Sequence, residues 1–141
     1  MHIDSYKIIR YIDGHKINLK NFEKDKIEKK QLVKKNNANK NLWFVNIGGY
    51  KKTSMQEKHE FGLVIASNKL EAKNIAKSKL LIGYKKKHTD DLNSLEMLIS
   101  CDDCELIKKI GSWQIELTPD NNFIQENNYP DWYGYKRIDN T

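Results

Sequence analysis

Apolar residues gather in a few short segments separated by long polar stretches, and their spacing changes along the chain. Lys7 to Ile12 and His15 to Leu19 are rich in β-branched residues on either side of Asp13-Gly14, a pair suited to the left-handed dihedrals of a tight hairpin. Leu42 to Ile47 (LWFVNI) is the most apolar run and reads as a strand partly buried on both faces, ended by Gly48-Gly49. Phe61 to Ala66 (FGLVIA) reads as a second strand, and antiparallel pairing of the two is the simplest connection across the polar loop between them. The period then becomes helical. Ala72, Ile75, Ala76 and Leu80 share one face against Lys73, Asn74, Lys77 and Lys79 on the other, with Asn68 as N-cap, Glu71 three residues on, and Gly83 as terminator. A strand around Leu95 to Ile99 follows, then a second hairpin, Leu106 to Ile110 with Trp113 to Leu117 across Gly111-Ser112.

The two hairpins resemble each other. Ile9, Ile12, Ile17 and Leu19 fall on Ile107, Ile110, Ile115 and Leu117, Ile8 on Leu106, and Arg10 on Lys108. His2 and Asp4 fall on His88 and Asp90 once Asn93 to Cys104 is treated as an insertion. Self-similarity of this kind changes the expected architecture. It divides the chain into a hairpin remnant of a first unit (1–20), a Lys/Asn-rich linker (21–41), a complete unit (42–118) and an aromatic-rich extension (119–141). The fold class expected is α+β, mainly antiparallel sheet with one principal helix, plus the N-terminal hairpin of a truncated repeat unit. A unit without its first strands leaves a sheet edge unpaired, so association with a second copy is an expectation. In the extension, Tyr129 to Ile138 carries exposed-type aromatic residues in a polar setting and is expected to lie across the domain.

Charge adds less than its sum suggests. Of the net +6, residues 20 to 40 carry eight lysines against Glu23, Asp25 and Glu28. The basicity belongs to the linker, where a solvated tether with a short, weakly held helix is the favoured reading and a nucleic-acid contact the rival. No apolar run approaches the roughly 18 residues a membrane helix needs. The first residues lack the plan of a signal peptide, so a cytoplasmic protein without a membrane partner is expected.

The order LWFVNIGGY, EKHEFGLVIA, EAKNIAKSKLL, HTDDL and IGSWQIEL resembles the bacterial domain-of-unknown-function family 1543. The features that carry the resemblance are Gly48 with Gly49, Glu57 with His59, Glu71 with Ala72, Ala76 with Lys77, and His88 with Asp90. It covers about residues 42 to 117, and the first hairpin is similar to the family's last part. Glu60 stands where the family pattern has Asp. Longer members contain two full units, which implies that the first is truncated here; the resemblance implies no activity.

His59 and His88 with Glu57, Asp90 and Asp91 form the one reactive constellation, able in principle to bind a divalent metal or move protons. Against it stands a structural role, in which each polar side chain ties a loop or a strand end. His2 and Asp4 favour that role, since they echo His88 and Asp90 with no partner for Glu57 or His59. Cys101 and Cys104 have metal-knuckle spacing without a second pair and are expected to be reduced thiols. Gly48-Gly49 has no following helix start of the kind a phosphate loop needs. The expected function is a non-enzymatic binding or interaction module with no cofactor, its partner unknown. A metal-dependent enzyme and nucleic-acid binding are the alternatives.

Overall fold

The computed structural model describes residues 1–21, 40–50, 52–83, 85–86, 101–122, 124, 127 and 129–138. Outside them lie the expected linker helix, the strand around Leu95 to Ile99, and His88, Asp90 and Asp91. In chain order the elements are β1 (His2–Tyr6), β2 (Tyr11–Ile12), β3 (His15–Asn21), β4 (Asn41–Tyr50), β5 (Lys58–Ala66), α1 (Lys69–Lys79), β6 (Lys85–Lys86), β7 (Cys101–Ile107), β8 (Lys109–Ile110), β9 (Trp113–Pro119) and β10 (Trp132–Arg137). All described strand pairs are antiparallel, and with a single described helix the fold is α+β.

The core forms around β4, which pairs with β5 on one edge and with β7 and then β6 on the other. Trp43, Val45 and Ile47 alternate onto one face of β4 and are buried with Val64, Cys104, Ala72 and Ala76. The two alanines let α1 sit close to the sheet, with Ile75 and Leu80 packed at the margin. Trp43 reaches the edge of this core, where its indole N–H donates to Ala66 O at 3.0 Å. Gly48-Gly49 does not end the strand. Gly49 is laddered to Lys58 on one side and Lys86 on the other, and two ladders outweigh the roughly 0.5–1 kcal/mol entropic cost of a strand glycine.

Helix α1 starts where its capping residues place it. Asn68 Oδ1 accepts the Glu71 N–H at 2.9 Å, and the Glu71 carboxylate accepts the Ser67 N–H at 2.7 Å. These backbone and side-chain hydrogen bonds with Ser67 hold the Glu71 carboxyl below its ordinary value. Asn68→Ala should cost about 1 kcal/mol in urea unfolding. The ionised Glu71 contributes at pH values above the ordinary carboxylate range, and this contribution is lost as pH falls through the lowered value. Protection of the Ala72 and Lys73 amides in hydrogen exchange should therefore drop on acidification, and less so in Glu71→Gln. The helix stops earlier than Gly83 would dictate. Leu81 takes the left-handed conformation (φ 50°), with its side chain buried and its N–H donating to Glu60 Oε2 at 2.8 Å. Burying a leucine offsets the roughly 1–2 kcal/mol that left-handed backbone costs an L-residue.

Both hairpins are present with their expected turns. Asp13 (φ 49°) and Gly14 (φ 74°) are both left-handed, whereas in the second turn only Gly111 (φ 58°) is. The first arms are shorter than the sequence pattern suggests. Only Tyr11–Ile12 and Lys109–Ile110 pair within the hairpins, while the preceding residues peel away to pair elsewhere. The backbone bond Ile17 N–H to Arg10 O recurs as Ile115 N–H to Lys108 O. β3 and β9 join the hairpins into one sheet whose register is symmetric about the Asn18–Glu116 pair, with Ile17 opposite Leu117 and Leu19 opposite Ile115.

Candidate functional site

Two surfaces assemble chemistry on this framework. The first is the end of β4 and β5, where Gly48 lies opposite His59 and Gly49 opposite Lys58. Tyr50 and Glu57 follow, and the Tyr50 hydroxyl donates to Glu57 Oε2 at 3.1 Å. His59 Nε2 lies 3.7 Å from the same oxygen, with the imidazole roughly half exposed and the carboxylate less so. Of the residues singled out in the sequence, the structure thus brings together Gly48, Gly49, Glu57 and His59; His88, Asp90 and Asp91 lie outside the described residues. Glu60, the departure from the family pattern, turns to the Leu81 N–H. The arrangement offers one carboxylate and one imidazole. A metal site needs at least a third ligand, and no group of three His, Cys, Asp or Glu occurs among the described residues.

His2 and Asp4, the expected echo of His88 and Asp90, form a surface pair at 3.2 Å, and the His2 ring packs on Tyr135. Strand register aligns them differently from the sequence comparison. The ladder of β7 with β4 slips between Asp103 and Cys101, and that of β1 with β10 slips between Ser5 and Ile3. Counting back from the shared hairpins without a gap, Asp4 therefore corresponds to Asp102 rather than Asp90. Cys104 is a buried free thiol whose Sγ faces Lys69 O beneath α1.

The second surface was indicated in the sequence only by the aromatic tail. Trp132–Arg137 of that tail forms β10, laddered to β1 with Tyr6 opposite Trp132 and Ile3 opposite Lys136. Asp131 fastens one end by accepting the Ile8 N–H at 2.6 Å while its own N–H donates to Tyr6 O. Ile138 N–H closes the other end on Met1 O. The Tyr6 and Trp132 rings stack at 5.9 Å. On that face the ribbon forms an open groove of about 390 Å³ lined by Ile3, Tyr6, Trp132, Lys136, Arg137 and Ile138. Tyr133 and Tyr135, 80% and 68% exposed, alternate onto the other face of the ribbon. No described strand pairs with the outer edge of β10. What could have revealed the groove was the run of rings from Trp132 to Tyr135, which no single-sequence pattern assigns to a partner strand 130 residues away in the chain.

Residues 54–106 match the sequence profile of a Domain of Unknown Function (DUF1543). The crystal structure of protein Il1583 from Idiomarina loihiensis is similar over 96% of this chain and 63% of its own, at a TM-score of 0.55 and 20% identity. That likeness shows the fold, and the chain spans 63% of the length of that protein. No curated protein matches the chain. Among the described residues no helix is long and apolar enough to cross a membrane.

Proposed function

We propose that this chain, which carries a DUF1543 domain, is a small interaction module whose binding surface is the β1–β10 ribbon. The observation that supports it is the apolar groove of about 390 Å³ lined by stacked Tyr6 and Trp132. Aromatic rings supply contact area at low entropic cost, and such rings held on a ladder rather than a loose tail are already ordered for binding. A cytoplasmic setting fits the buried free thiol of Cys104. Self-pairing through the edge of β10 that no described strand pairs is the form of the module that needs no other protein.

The test is site-specific photo-crosslinking in cells, with a benzophenone side chain at Ile138 on the groove wall and, as a control, at Lys52 in the β4–β5 loop. A discrete product from position 138 only, reduced when Trp132→Ala is added, is expected. Equal products from both positions, or none from 138, would overturn the reading.

A second reading, metal-dependent chemistry, is favoured by the proximity of Glu57 and His59. It requires a stoichiometric metal on the purified chain that His59→Ala removes without unfolding it. Metal-free protein sinks it.

A further inference from the structure

We propose that the groove between β1 and β10 is the seat of an acidic amphipathic helix from a partner protein, held as α1 is held over β4 and β7. The proposal deepens the interaction-module reading and rests on it.

Its ground is the correspondence of the two halves of the fold. The hairpins share a turn position and a backbone bond, and they pair symmetrically about Asn18 and Glu116. Continuing that correspondence back along the chain, β1 takes the place of β7, with Tyr6 at the position of Cys104 and Ile3 at that of Cys101. The partner strands then follow. Cys104 lies opposite Val45 and Cys101 opposite Ile47, whereas Tyr6 lies opposite Trp132 and Ile3 opposite Lys136. The strand β10 thus stands where β4 stands, although it comes from the other end of the chain. Both ladders slip just after Cys101 and Ile3 but in opposite senses, the extra residue lying on β7 in one and on β10 in the other, so the comparison holds from Tyr6 and Trp132 up to the slip.

Around β4 the corresponding face is covered: Val45, Ile47 and Cys104 are buried beneath Ala72 and Ala76 of α1. Around β10 that face is the open groove, lined by Tyr6, Trp132, Ile3 and Lys136. The hairpin tips tell the same story. Asp13, at the first tip, accepts the Ile65 N–H at 3.0 Å and pairs with Lys79, so it is anchored to β5 and α1. At the second tip the corresponding position is Gly111, and the flanking Ile110 and Trp113 are 60% and 45% exposed. Among the described residues a helix covers one half and none covers the other.

Charge selects the occupant. Lys136 lies opposite Ile3 and lines the groove, so the groove carries a cation that a docked helix must answer with a carboxylate. Helix α1 of a second copy does not qualify. It carries Lys69, Lys73, Lys77 and Lys79 against Glu71 and is already packed on its own sheet. The partner helix therefore presents small residues inward, as Ala72 and Ala76 do, with acidic residues on the flank that meets Lys136.

The experiment uses the full chain and two fluorescein-labelled peptides of residues 67–82, each stapled on its outward face because isolated helices of this length are marginal. One has the natural sequence; the other has glutamate at positions 69, 73, 77 and 79. The acidic peptide is expected to bind, and Trp132→Ala to weaken it by about tenfold or more, the loss typical of a central aromatic contact. Lys136→Glu, a surface change that leaves the fold intact by circular dichroism, is expected to reverse the preference in favour of the natural peptide. No binding, equal binding of both peptides, or binding indifferent to both variants overturns the proposal. So does a concentration-dependent dimer abolished by Trp132→Ala, which puts a second copy in the groove. If the peptides fail while crosslinks from position 138 persist, the module reading stands and only the helical occupant is lost.

Discussion

Ile47→Ala should lower the unfolding free energy by about 2–4 kcal/mol, the range for emptying a well-packed site of a branched side chain. Ile47 is fully buried at the centre of β4, opposite Glu60 on one side and Cys101 on the other, and it shares the core with Ala72 and Ala76. Both neighbouring alanines lack atoms that could move inward, so the cavity relaxes poorly. A domain of ordinary stability holds roughly 5–15 kcal/mol in total, and the loss is a large share of it. Ile47→Val should cost about 0.5–1.5 kcal/mol, while Ile110→Ala, at a 60% exposed position, should stay within about 0.5 kcal/mol. Urea unfolding followed by tryptophan fluorescence measures all three. Equal effects at Ile47 and Ile110 would mean that the core does not sit around β4.

The second large effect is expected at Asp13, where Asp13→Ala should cost about 1–3 kcal/mol. Three functions meet in this residue. Its backbone is left-handed (φ 49°), a region that Asp and Asn tolerate better than Ala. One carboxylate oxygen accepts the N–H of Ile65 at the edge of β5, and the other pairs with Lys79 near the end of α1. The half-exposed ion pair is worth about 0–1 kcal/mol and is screened by salt. The larger part should come from the Ile65 N–H, which loses its acceptor. Asp13→Asn keeps an acceptor and the turn and should recover most of the loss, and 1 M salt should change the Asp13→Ala deficit little. A deficit that disappears in salt would assign the effect to Lys79 instead.

Much of the framework was legible because it rests on local rules. Asp13-Gly14 marks a turn wherever it occurs between β-branched runs, and Asn68 with Glu71 caps a helix through bonds three residues long. Leu42 to Ile47 reads as a strand buried on both faces because it is the most apolar run of the chain. Other features were not legible. The helix stops at Lys79 because Leu81 finds a buried place and a hydrogen bond to Glu60, contacts that exist only after β5 has formed. Gly48-Gly49 reads as a break and is a strand, since β5 and β6 supply ladders from both sides. On the candidate site, Glu57 and His59 are neighbours in the Glu-x-His motif, and their side chains lie 3.7 Å apart with Glu57 just ahead of β5 and His59 within it. The groove was missed since its walls come from opposite ends of the chain.

The sequence by itself determined the hairpin turns, the one described helix with its start, and the apolar strand on which the core is built, because propensity, capping and alternation act over a few residues. Only the tertiary structure decided that the aromatic tail becomes β10 beside β1, with Trp132 on Tyr6 and Lys136 facing Ile3. Nothing local in WYGYKR names its partner. β1 and β10 form a two-stranded sheet of their own, and their pairing exists only once the two ends of the chain meet in three dimensions.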